Sequence, residues 1–407
     1  MAVAATTVLD IAELSFSDLV ALLSPETLAD DGRCRRVVDT VATELGRGGS
    51  GLLAIDGVPR VGALRRRLLP LARRVALMDH LTRSQLLKKH GLGSDVPLKK
   101  LDRSVSSFAQ LLRHSACDIV IGRGQLEQSI TDFGTAKARL IHYHSELDNI
   151  VIRDNNAKRK GSASKVAVQP YQSCSGNRSG SVCPCCIKSE DGTTVMAIEE
   201  NNSNDASIQG QAAEISLLNL WQEWHYDYGI FTVLTAPLFM SVSEDEKSLV
   251  NLEYHPPDGH THLQLCNGRK IFSVRCSPES FIVQVGEAAD ILSQGKLKST
   301  LHAVSRPSSS TDISRETFVV FLQPSWDKLL AYPGYSLDAE GEPILSKQTS
   351  IISDGSAGPC NEDAFMQEIL KKVPPLSSRL KEGMTFAEFS RQTTKQYYGG
   401  NGIQQNN

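Results

Sequence analysis

Hydrophobic positions in the first hundred residues recur with the spacing of helices. In FSDLVALL and VGALRRRLLPLARRVALMDHL, apolar residues return every three or four positions, the period of a helix with one buried face. A strand-like run, GLLAIDGVP, interrupts them, and Pro59 and Gly62 mark the turn into the next helix. The pattern predicts a helical N-terminal region over residues 1–115.

Short β-branched or alternating segments follow from residue 116. Turns rich in Gly, Pro, Asn and Ser separate most of them, and no long helical pattern lies between the later ones. This arrangement predicts an antiparallel sandwich or barrel over residues 116–330. The predicted strands are CDIVIGRG, KARLIHYH, HYDYGIFTVLTA, HLQLCN, KIFSVRC, SFIVQVG and RETFVVFLQ.

A polar stretch interrupts this β region. Residues 153–212 are rich in Ser, Asn, Gly and charge, with too few apolar residues to offset the entropy of ordering the chain. We predict a mobile insertion at about residues 150–215. It contains a cysteine cluster that could bind zinc, although the spacing lacks paired Cys-x2-Cys knuckles and free thiols are the alternative. The cluster consists of Cys174, Cys183, Cys185 and Cys186.

Residues 331–407 form a predicted C-terminal helical extension. A loop-rich stretch leads to two helical patterns, EDAFMQEILKK and TFAEFSRQTTKQYY. In the second, Thr385 precedes Glu388 by three residues, which is the pattern of a capping box.

Composition and charge mainly argue against certain partners and cellular locations. Of 407 residues, 22% are charged and the formal net charge is -3, so no overall excess of basic residues favours nucleic acid. The start of the chain meets Asp10 and Glu13 before any long apolar run, and no run approaches the roughly 18 residues of a membrane span. Nine irregularly spaced cysteines are atypical of a secreted disulfide framework. We predict a cytoplasmic chain, with the nucleus as the other compartment, and no nucleic-acid or membrane partner.

Two metal-capable side chains stand close together in HYDYGIFTV. If this stretch is one strand, His225 and Asp227 point to the same face. A hydrogen-bonded polar pair at a strand end would give the same pattern. His302, ahead of a serine-rich turn, offers a third ligand, and two histidines with one carboxylate are typical of non-haem Fe(II) oxygenases.

A strand further along the chain carries an unexpected inward arginine. By alternation, Arg315, Thr317, Val319 and Phe321 share one face of the strand RETFVVFLQ. An arginine on an otherwise apolar face needs an anionic partner, because burying an unpaired guanidinium is costly. A carboxylate fits best, since the guanidinium can bind both oxygens while the threonine hydroxyl donates one more bond.

The order of these five residues resembles the metal triad and co-substrate clamp of a known family. It is similar to the plant-type 2-oxoglutarate and Fe(II)-dependent dioxygenases of the isopenicillin N synthase-like superfamily. The supporting motifs are HYDYGIFTVL, HLQLCNGRKIFSV, VQVGEAADILSQGKLKSTLHAV and, upstream, GLLAIDGVP. The resemblance covers most of residues 7–330 outside the insertion, with its most specific motifs between residues 219 and 323.

The resemblance implies a mixed α/β (α+β) fold with a double-stranded β-helix, or jelly-roll, core. It implies Fe(II) held by His225, Asp227 and His302, and 2-oxoglutarate held by Arg315 and Thr317. The implied reaction uses O2, with ascorbate as a possible reductant. It oxidises a small organic metabolite by hydroxylation, demethylation or desaturation, with release of succinate and CO2.

Two features depart from the family pattern. The clamp is usually Arg-x-Ser, whereas this chain has a threonine. Where the family shows Asn-x-Tyr, the ungapped match places His142 and His144. His144 would then replace the tyrosine that contacts 2-oxoglutarate, and a core or rim histidine is the competing interpretation. Another histidine group, His255, His260 and His262 with Asp258, is an alternative ligand set that lacks a matching arginine clamp.

Three function classes remain open at the level of sequence. The first is an oxygenase of small molecules. The second is a catalytically weak or inactive binding or regulatory protein on the same scaffold. The third is a protein or peptide hydroxylase, because a metal triad does not define the substrate.

Overall fold

The computed structural model describes residues 7–21, 31–91, 96–98, 135–163, 219–241, 252–254, 256, 260–268, 270–307, 312–330, 367–369 and 371–398. The predicted strand CDIVIGRG, the four clustered cysteines and most of the predicted insertion lie outside these residues. Within them, the named helices are α1 (Phe16–Ala21), α2 (Asp31–Leu45), α3 (Val61–Leu68), α4 (Pro70–Leu77), α5 (His80–Lys89), α6 (Glu146–Ala163), α7 (Glu287–Leu292), α8 (Leu376–Arg379) and α9 (Phe386–Tyr398). In the same part of the chain, no helix is both long enough and apolar enough to cross a membrane.

The strands, in chain order, are β1 (Thr7–Asp10), β2 (Glu13–Ser15), β3 (Leu52–Asp56), β4 (Val96–Leu98), β5 (Thr135–Tyr143), β6 (Leu220–His225), β7 (Phe231–Thr235), β8 (Leu238–Ser241), β9 (Leu252–Tyr254), β10 (His260–Asn267), β11 (Lys270–Arg275), β12 (Phe281–Val285), β13 (Leu301–Ser305) and β14 (Ile313–Gln323). They form two sheets. The smaller sheet has the order β1-β11-β10-β13-β6. The larger sheet has the order β2-β3-β12-β7-β14-β5-β4, with β8 pairing β14 and β9 pairing β8.

The chain passes repeatedly between the two sheets. Strands β10 and β11 belong to the smaller sheet, β12 to the larger, β13 to the smaller and β14 to the larger. Apart from the parallel pairs β1 with β11 and β2 with β3, the strand pairs are antiparallel in the described residues. This alternation is that of a jelly roll, so the predicted mixed α/β fold with a double-stranded β-helix core is confirmed.

Three apolar clusters show how the two sheets pack against each other and against the helices. The interior between the sheets contains Leu234 and Ile282 from the larger sheet and Leu263 and Val304 from the smaller sheet. Residues of α2 and α7 pack with the larger sheet in a second cluster. A third cluster joins Trp224 on the smaller sheet to residues of the C-terminal segment. Successive side chains on a strand point to opposite faces, so the neighbours of residues in the two outer clusters point into the interior between the sheets.

Secondary structure in the N-terminal region is more mixed than the hydrophobic pattern predicts. Besides α1 to α5, it supplies β1 to the smaller sheet and β2, β3 and β4 to the larger sheet. β1 pairs in parallel with β11, and β2 pairs in parallel with β3. Such short strands are set by pairing with distant partners and leave little periodic signal of their own. The division at residues 115 and 330 stays a prediction.

Two predicted elements are wrong in detail. HYDYGIFTVLTA is not one strand, because β6 ends at His225 in the smaller sheet and β7 begins at Phe231 in the larger sheet. The start of the predicted insertion is helical, since α6 continues to Ala163. A reciprocal cap explains where α6 starts: the Ser145 N–H donates to Asp148 and the Asp148 N–H donates to the Ser145 hydroxyl.

Candidate metal and carboxylate site

The backbone between β6 and β7 crosses from one sheet to the other. We call residues 226–230 the ligand corner. Gly229 and Gly286 allow a close approach here, because a side chain at Gly286 would collide with the carbonyl of Gly229 and lie 2.9 Å from that of Asp227. The Glu287 N–H donates to the Asp227 carbonyl at 2.8 Å. The sequence expectation that strand alternation aligns His225 with Asp227 is therefore wrong, and the corner aligns them instead.

His225 ends β6 and lies opposite His302 on the neighbouring strand β13. Their ring centroids are 4.2 Å apart. Nδ1 of His225 lies 2.7 Å from the carbonyl oxygen of Glu223. A carbonyl can only accept, so Nδ1 carries the proton and Nε2 presents a lone pair. That Nε2 lies 3.8 Å from Oδ1 of Asp227.

His302 repeats this arrangement. Its Nδ1 lies 3.0 Å from the carbonyl oxygen of Thr300, again two residues earlier in the chain. With the proton on Nδ1, Nε2 would be the nitrogen with a free lone pair. Burial, followed by the charge of the neighbouring His225, lowers the pKa of His302 to about 4. The neutral ring that results is the form that binds metals.

Asp227 is oriented by two polar side chains. Its Oδ2 accepts a hydrogen bond from the Thr232 hydroxyl at 2.5 Å and a longer one from the Gln284 amide at 3.5 Å. The Gln284 amide nitrogen also lies 2.7 Å from Nδ1 of His302. Oδ1 of Asp227 thus faces His225, while Oδ2 is engaged by the surrounding side chains.

The donor set of His225, Asp227 and His302 fits a divalent ion. One potential ligand atom from each residue lies within 4.8 Å of the others. With metal–ligand distances of about 2.1 Å, donors on the same side of one ion stand roughly 3 Å apart, so the three side chains would draw together when the ion binds. Each histidine also has its outer nitrogen held by a carbonyl, the usual support for metal ligands. The three residues proposed from the sequence as metal ligands therefore lie together in the structure.

Arg315 is buried on β14, with 1% of its surface exposed. Its Nε donates to the Thr261 carbonyl on β10 at 3.0 Å, so the side chain spans from the larger sheet to the smaller. Among the described residues, no carboxylate lies within ion-pair distance of its guanidinium. Burial lowers the pKa of Arg315 from its ordinary value, although an arginine remains charged in proteins. A buried cation without a carboxylate calls for an anionic ligand.

A chain of four aromatic side chains runs from one strand neighbour of Arg315 to the other, and we call it the aromatic collar. The ring of Tyr143, directly across the strand pair, lies 5.2 Å from the guanidinium carbon of Arg315. The collar continues from Tyr143 to Trp221 at 5.9 Å, from Trp221 to His262 at 6.4 Å and from His262 to Phe239 at 5.3 Å between ring centroids. Phe239 pairs with Arg315 on its other side. Such rings restrict water and strengthen charge recognition.

Thr317 shares the inward face of β14 with Arg315, as expected. Its hydroxyl donates to the Thr235 carbonyl at 3.2 Å and lies 3.4 Å from the Thr235 hydroxyl. In this arrangement the hydroxyl is bonded to β7. Its part in a carboxylate clamp stays a prediction.

The histidines of HYH face away from Arg315. The structure places Tyr143 against the guanidinium, because Tyr143 and its neighbours alternate between the two faces of β5. The His144 ring instead packs 4.6 Å from that of His142, and its Nδ1 is buried without a hydrogen-bond partner among the described residues. Burial, and then the charge of His142, lower the pKa of His144. Its assignment to 2-oxoglutarate therefore has no supporting contact here.

His142 belongs to a buried polar network behind the sheet. Its Nδ1 lies 2.8 Å from Glu316, and its Nε2 lies 3.4 Å from Asp148. Asp148 also accepts two bonds from Arg73, at 2.9 and 2.7 Å. Burial opposes the charged form of His142, but the close carboxylates of Asp148 and Glu316 outweigh it and raise the pKa. Within the described residues, these contacts give the network a structural role.

The alternative histidine group is not assembled in the described residues. His255 and Asp258 lie outside them, and the His262 ring belongs to the aromatic collar. His262 adopts a left-handed backbone conformation with φ of 57°, unusual for a residue other than glycine. Burial, followed by the charge of Arg315, lowers the pKa of His262 to about 4, which keeps a second positive charge away from the guanidinium.

Three contributors to the site were missed in the sequence: Gln284, Thr232 and the ring of Tyr143. Gln284 is the single polar side chain in FIVQV, which is the signal that could have marked it. Thr232 and Tyr143 lie in ordinary strand patterns. The contact of Tyr143 follows from the cross-strand register, and that of Thr232 follows from the turn of the ligand corner.

Part of the chain is similar to known proteins. Residues 240–324 match the 2OG-Fe(II) oxygenase superfamily. Leucoanthocyanidin dioxygenase of Malus domestica is 32% identical over 83 residues, which are 20% of this chain and 22% of that enzyme. The chain therefore matches about a fifth of the length of this curated relative.

Several solved structures are similar to the fold. Neurospora crassa T7H in complex with alpha-KG and 5-formyluracil has 11% sequence identity and a TM-score of 0.41, covering 88% of this chain and 95% of that chain. JOX2 in complex with 2OG, Fe and JA has 13% identity and a TM-score of 0.40, covering 96% and 90%. The dioxygenase for auxin oxidation in rice has 14% identity and a TM-score of 0.39, covering 93% and 98%.

The family match confirms the resemblance that the order of the candidate residues predicts. It includes β10 to β14, and thus His302, Arg315 and Thr317. His225 and Asp227 lie just upstream of the matched residues. Residues 240–324 of this chain are therefore similar to the 2OG-Fe(II) oxygenase superfamily.

Proposed function

We propose that this chain is an Fe(II)- and 2-oxoglutarate-dependent dioxygenase of a small organic metabolite. The observation that carries the proposal is the buried Arg315 without a carboxylate partner among the described residues. It faces the same interior between the sheets as the His225, Asp227 and His302 donor set. A metal-binding structural protein would have no need for both features.

His225, Asp227 and His302 would hold Fe(II). His225 would offer Nε2, because the Glu223 carbonyl holds the proton on Nδ1, and His302 would offer Nε2 in the tautomer that donates to the Thr300 carbonyl. Asp227 offers Oδ1 while Thr232 and Gln284 engage Oδ2. Two histidines and one carboxylate on one side of an iron leave three coordination positions for other ligands.

Arg315 would bind the distal carboxylate of 2-oxoglutarate. Its Nε is already bonded to the Thr261 carbonyl, which leaves the terminal guanidinium nitrogens to meet the carboxylate. The ring of Tyr143 lies against this charge, and burial away from water strengthens its attraction for a carboxylate. The co-substrate would thus be oriented by a fixed cation rather than by a mobile surface residue.

When bound, Fe(II) with 2-oxoglutarate and O2 supplies the oxidation of a substrate C–H group, with release of succinate and CO2. The protein positions the ligands and excludes water. A small organic molecule is the substrate class we propose, because such substrates are typical of this superfamily. Hydroxylation, demethylation and desaturation are the outcomes that this site chemistry supports.

Succinate release tests the proposal. The protein is incubated in air with Fe(II), ascorbate and 2-oxoglutarate, and succinate is measured with and without a panel of small organic acids and phenolic compounds. Asp227→Ala should lose Fe(II)-dependent succinate formation, since it removes the only carboxylate ligand. Asp327→Ala is the matched control, because Asp327 is an exposed aspartate just beyond β14.

We expect Fe(II)-dependent succinate formation that a substrate stimulates, and we expect it in the wild type and in Asp327→Ala alone. Succinate formation that persists in Asp227→Ala would reject the metal assignment. Binding of both Fe(II) and 2-oxoglutarate without succinate under any condition would instead favour a binding protein on this scaffold.

A further inference from the structure

The first backbone group of the ligand corner is bonded to the C-terminal helix. The N–H of Tyr226, between the ligands His225 and Asp227, donates to the hydroxyl of Tyr397 on α9 at 3.2 Å. Two residues on, the ring of Tyr228 lies 6.0 Å from the ring of Phe386, which is fully buried at the start of the same helix. The corner is thus in contact with both ends of α9.

Glu287 connects the backbone of Asp227 to Arg379 in α8. Its carbonyl accepts from the Glu287 N–H at 2.8 Å. The Glu287 carboxylate in turn accepts two bonds from Arg379 at the end of α8, at 2.6 and 2.7 Å. Only 1% of the Arg379 side chain and 5% of the Glu287 side chain are exposed. A two-point pair of this kind, shielded from water, fixes geometry strongly.

Arg379 also joins these two contacts into one unit. Its guanidinium donates to the Thr393 hydroxyl on α9 at 3.2 Å. It also lies 5.6 Å from the ring of Tyr397 and 5.7 Å from that of Phe389. Movement of α9 would therefore disturb both the Tyr397 contact and the Glu287 contact.

The ligand corner needs such external support. Residues 226–230 belong to neither sheet, because β6 ends at His225 and β7 begins at Phe231. The position of the Asp227 carboxylate therefore depends on backbone contacts other than a strand ladder.

We propose that the C-terminal segment, residues 371–398, is a positioning element of the metal site, acting through Tyr397 and Arg379 on the backbone of the ligand corner. The inference rests on the proposed function, because it assumes that the triad binds a metal. It assigns to residues outside the matched superfamily domain a part in the geometry of Asp227.

Co(II) binding tests this role without requiring turnover. Metal-free full-length protein is titrated with Co(II) under nitrogen, and both the dissociation constant and the visible absorption spectrum are recorded. Tyr397→Phe removes the hydroxyl and keeps the ring. Thr394→Val is the matched control, since it removes a hydroxyl from the same helix that, within the part of the chain the structure describes, bonds to the Ser390 carbonyl alone. Thermal unfolding of each metal-free protein is measured in parallel.

We expect Tyr397→Phe to weaken Co(II) binding about tenfold, the lower end of the effect of losing outer support at a metal site. Its spectrum should change, while its unfolding midpoint stays near that of Thr394→Val. Arg379→Lys, which loses the two-point bond and keeps the charge, should also weaken binding.

The possible outcomes distinguish a failure of the positioning role from a failure of the proposed function. Wild-type protein that binds neither Co(II) nor Fe(II) would reject the proposed function itself. Wild-type binding with unchanged affinity and spectrum in Tyr397→Phe and Arg379→Lys would overturn the positioning role. Equal weakening in Tyr397→Phe and Thr394→Val would overturn it too, because the cause would then be general destabilisation of α9.

Discussion

At the scale of residues, each candidate histidine ligand has its Nδ1 next to a backbone carbonyl two positions earlier in the chain. Glu223 supplies this carbonyl for His225, and Thr300 supplies it for His302. The order of His225, Asp227, His302 and Arg315 could be predicted from sequence, because these residue types are rare on apolar strands. The tautomers could not, since they depend on backbone geometry.

The buried network around His142 leads to a prediction on pH. The pKa of His142 is raised, so its stabilising contribution is complete below its ordinary value of about 6.5 and is lost as pH rises through the folded-state value. Wild type should therefore exceed His142→Gln in free energy of unfolding most at about pH 6, with a smaller difference at about pH 9. Urea unfolding across this range measures the difference.

His80→Gln is the control for this comparison, because His80 is exposed at the start of α5. Its difference from wild type should stay small throughout. A His142→Gln difference that grows as pH rises would mean that the Asp148 and Glu316 contacts do not favour the protonated ring.

At the scale of elements, the turn between β6 and β7 explains both a failure and a success of sequence reasoning. The run HYDYGIFTVLTA has the composition of one strand, because composition does not register a change of sheet. Gly229 and Gly286 are the residues in the sequence that indicate the crossing. Because neither has a side chain, the backbone segments can approach each other closely there. The capping box at Thr385 was predictable because it is a local contact.

Gly286→Ala should damage the metal site from a distance. Its new side chain would collide with the Gly229 carbonyl and crowd that of Asp227, and backbone atoms yield poorly. We expect at least a tenfold loss in Co(II) affinity, on the order of the loss caused by disturbed ligand support. Gly48→Ala is the control, because a side chain there meets nothing within 4 Å. Equal metal affinity in the two variants would show that the corner tolerates displacement.

Thr385→Ala should destabilise the C-terminal helix. The Thr385 N–H donates to Glu388 at 2.8 Å, and the Glu388 N–H donates back to the Thr385 hydroxyl at 3.3 Å. Loss of the cap should cost about 0.5–2 kcal/mol of unfolding free energy in urea. Thr40→Ala, which removes a hydroxyl bonded to the Arg36 carbonyl within α2, should cost less. A larger cost at Thr40 would argue against the cap.

At the scale of the whole molecule, two sheets bring together residues that are far apart in sequence. Arg315 on the larger sheet reaches the Thr261 carbonyl on the smaller sheet, while His225 and His302 lie on adjacent strands of the smaller one. The barrel was predictable from short strands and turns. The parallel strands β1 and β2 and the C-terminal contacts with the ligand corner were not, because they depend on pairing across most of the chain.

The most direct test of the account is Fe(II)-dependent binding of 2-oxoglutarate, measured by calorimetry under nitrogen. Wild type should bind 2-oxoglutarate only after Fe(II) is added. Arg315→Leu should keep its Fe(II) affinity and lose roughly 10- to 150-fold in affinity for 2-oxoglutarate, equivalent to about 1.5–3 kcal/mol for bonds to a charged group. Arg139→Leu, an exposed arginine on β5, should bind both like wild type. Unchanged 2-oxoglutarate affinity in Arg315→Leu, or no Fe(II) binding by the wild type, would contradict the account.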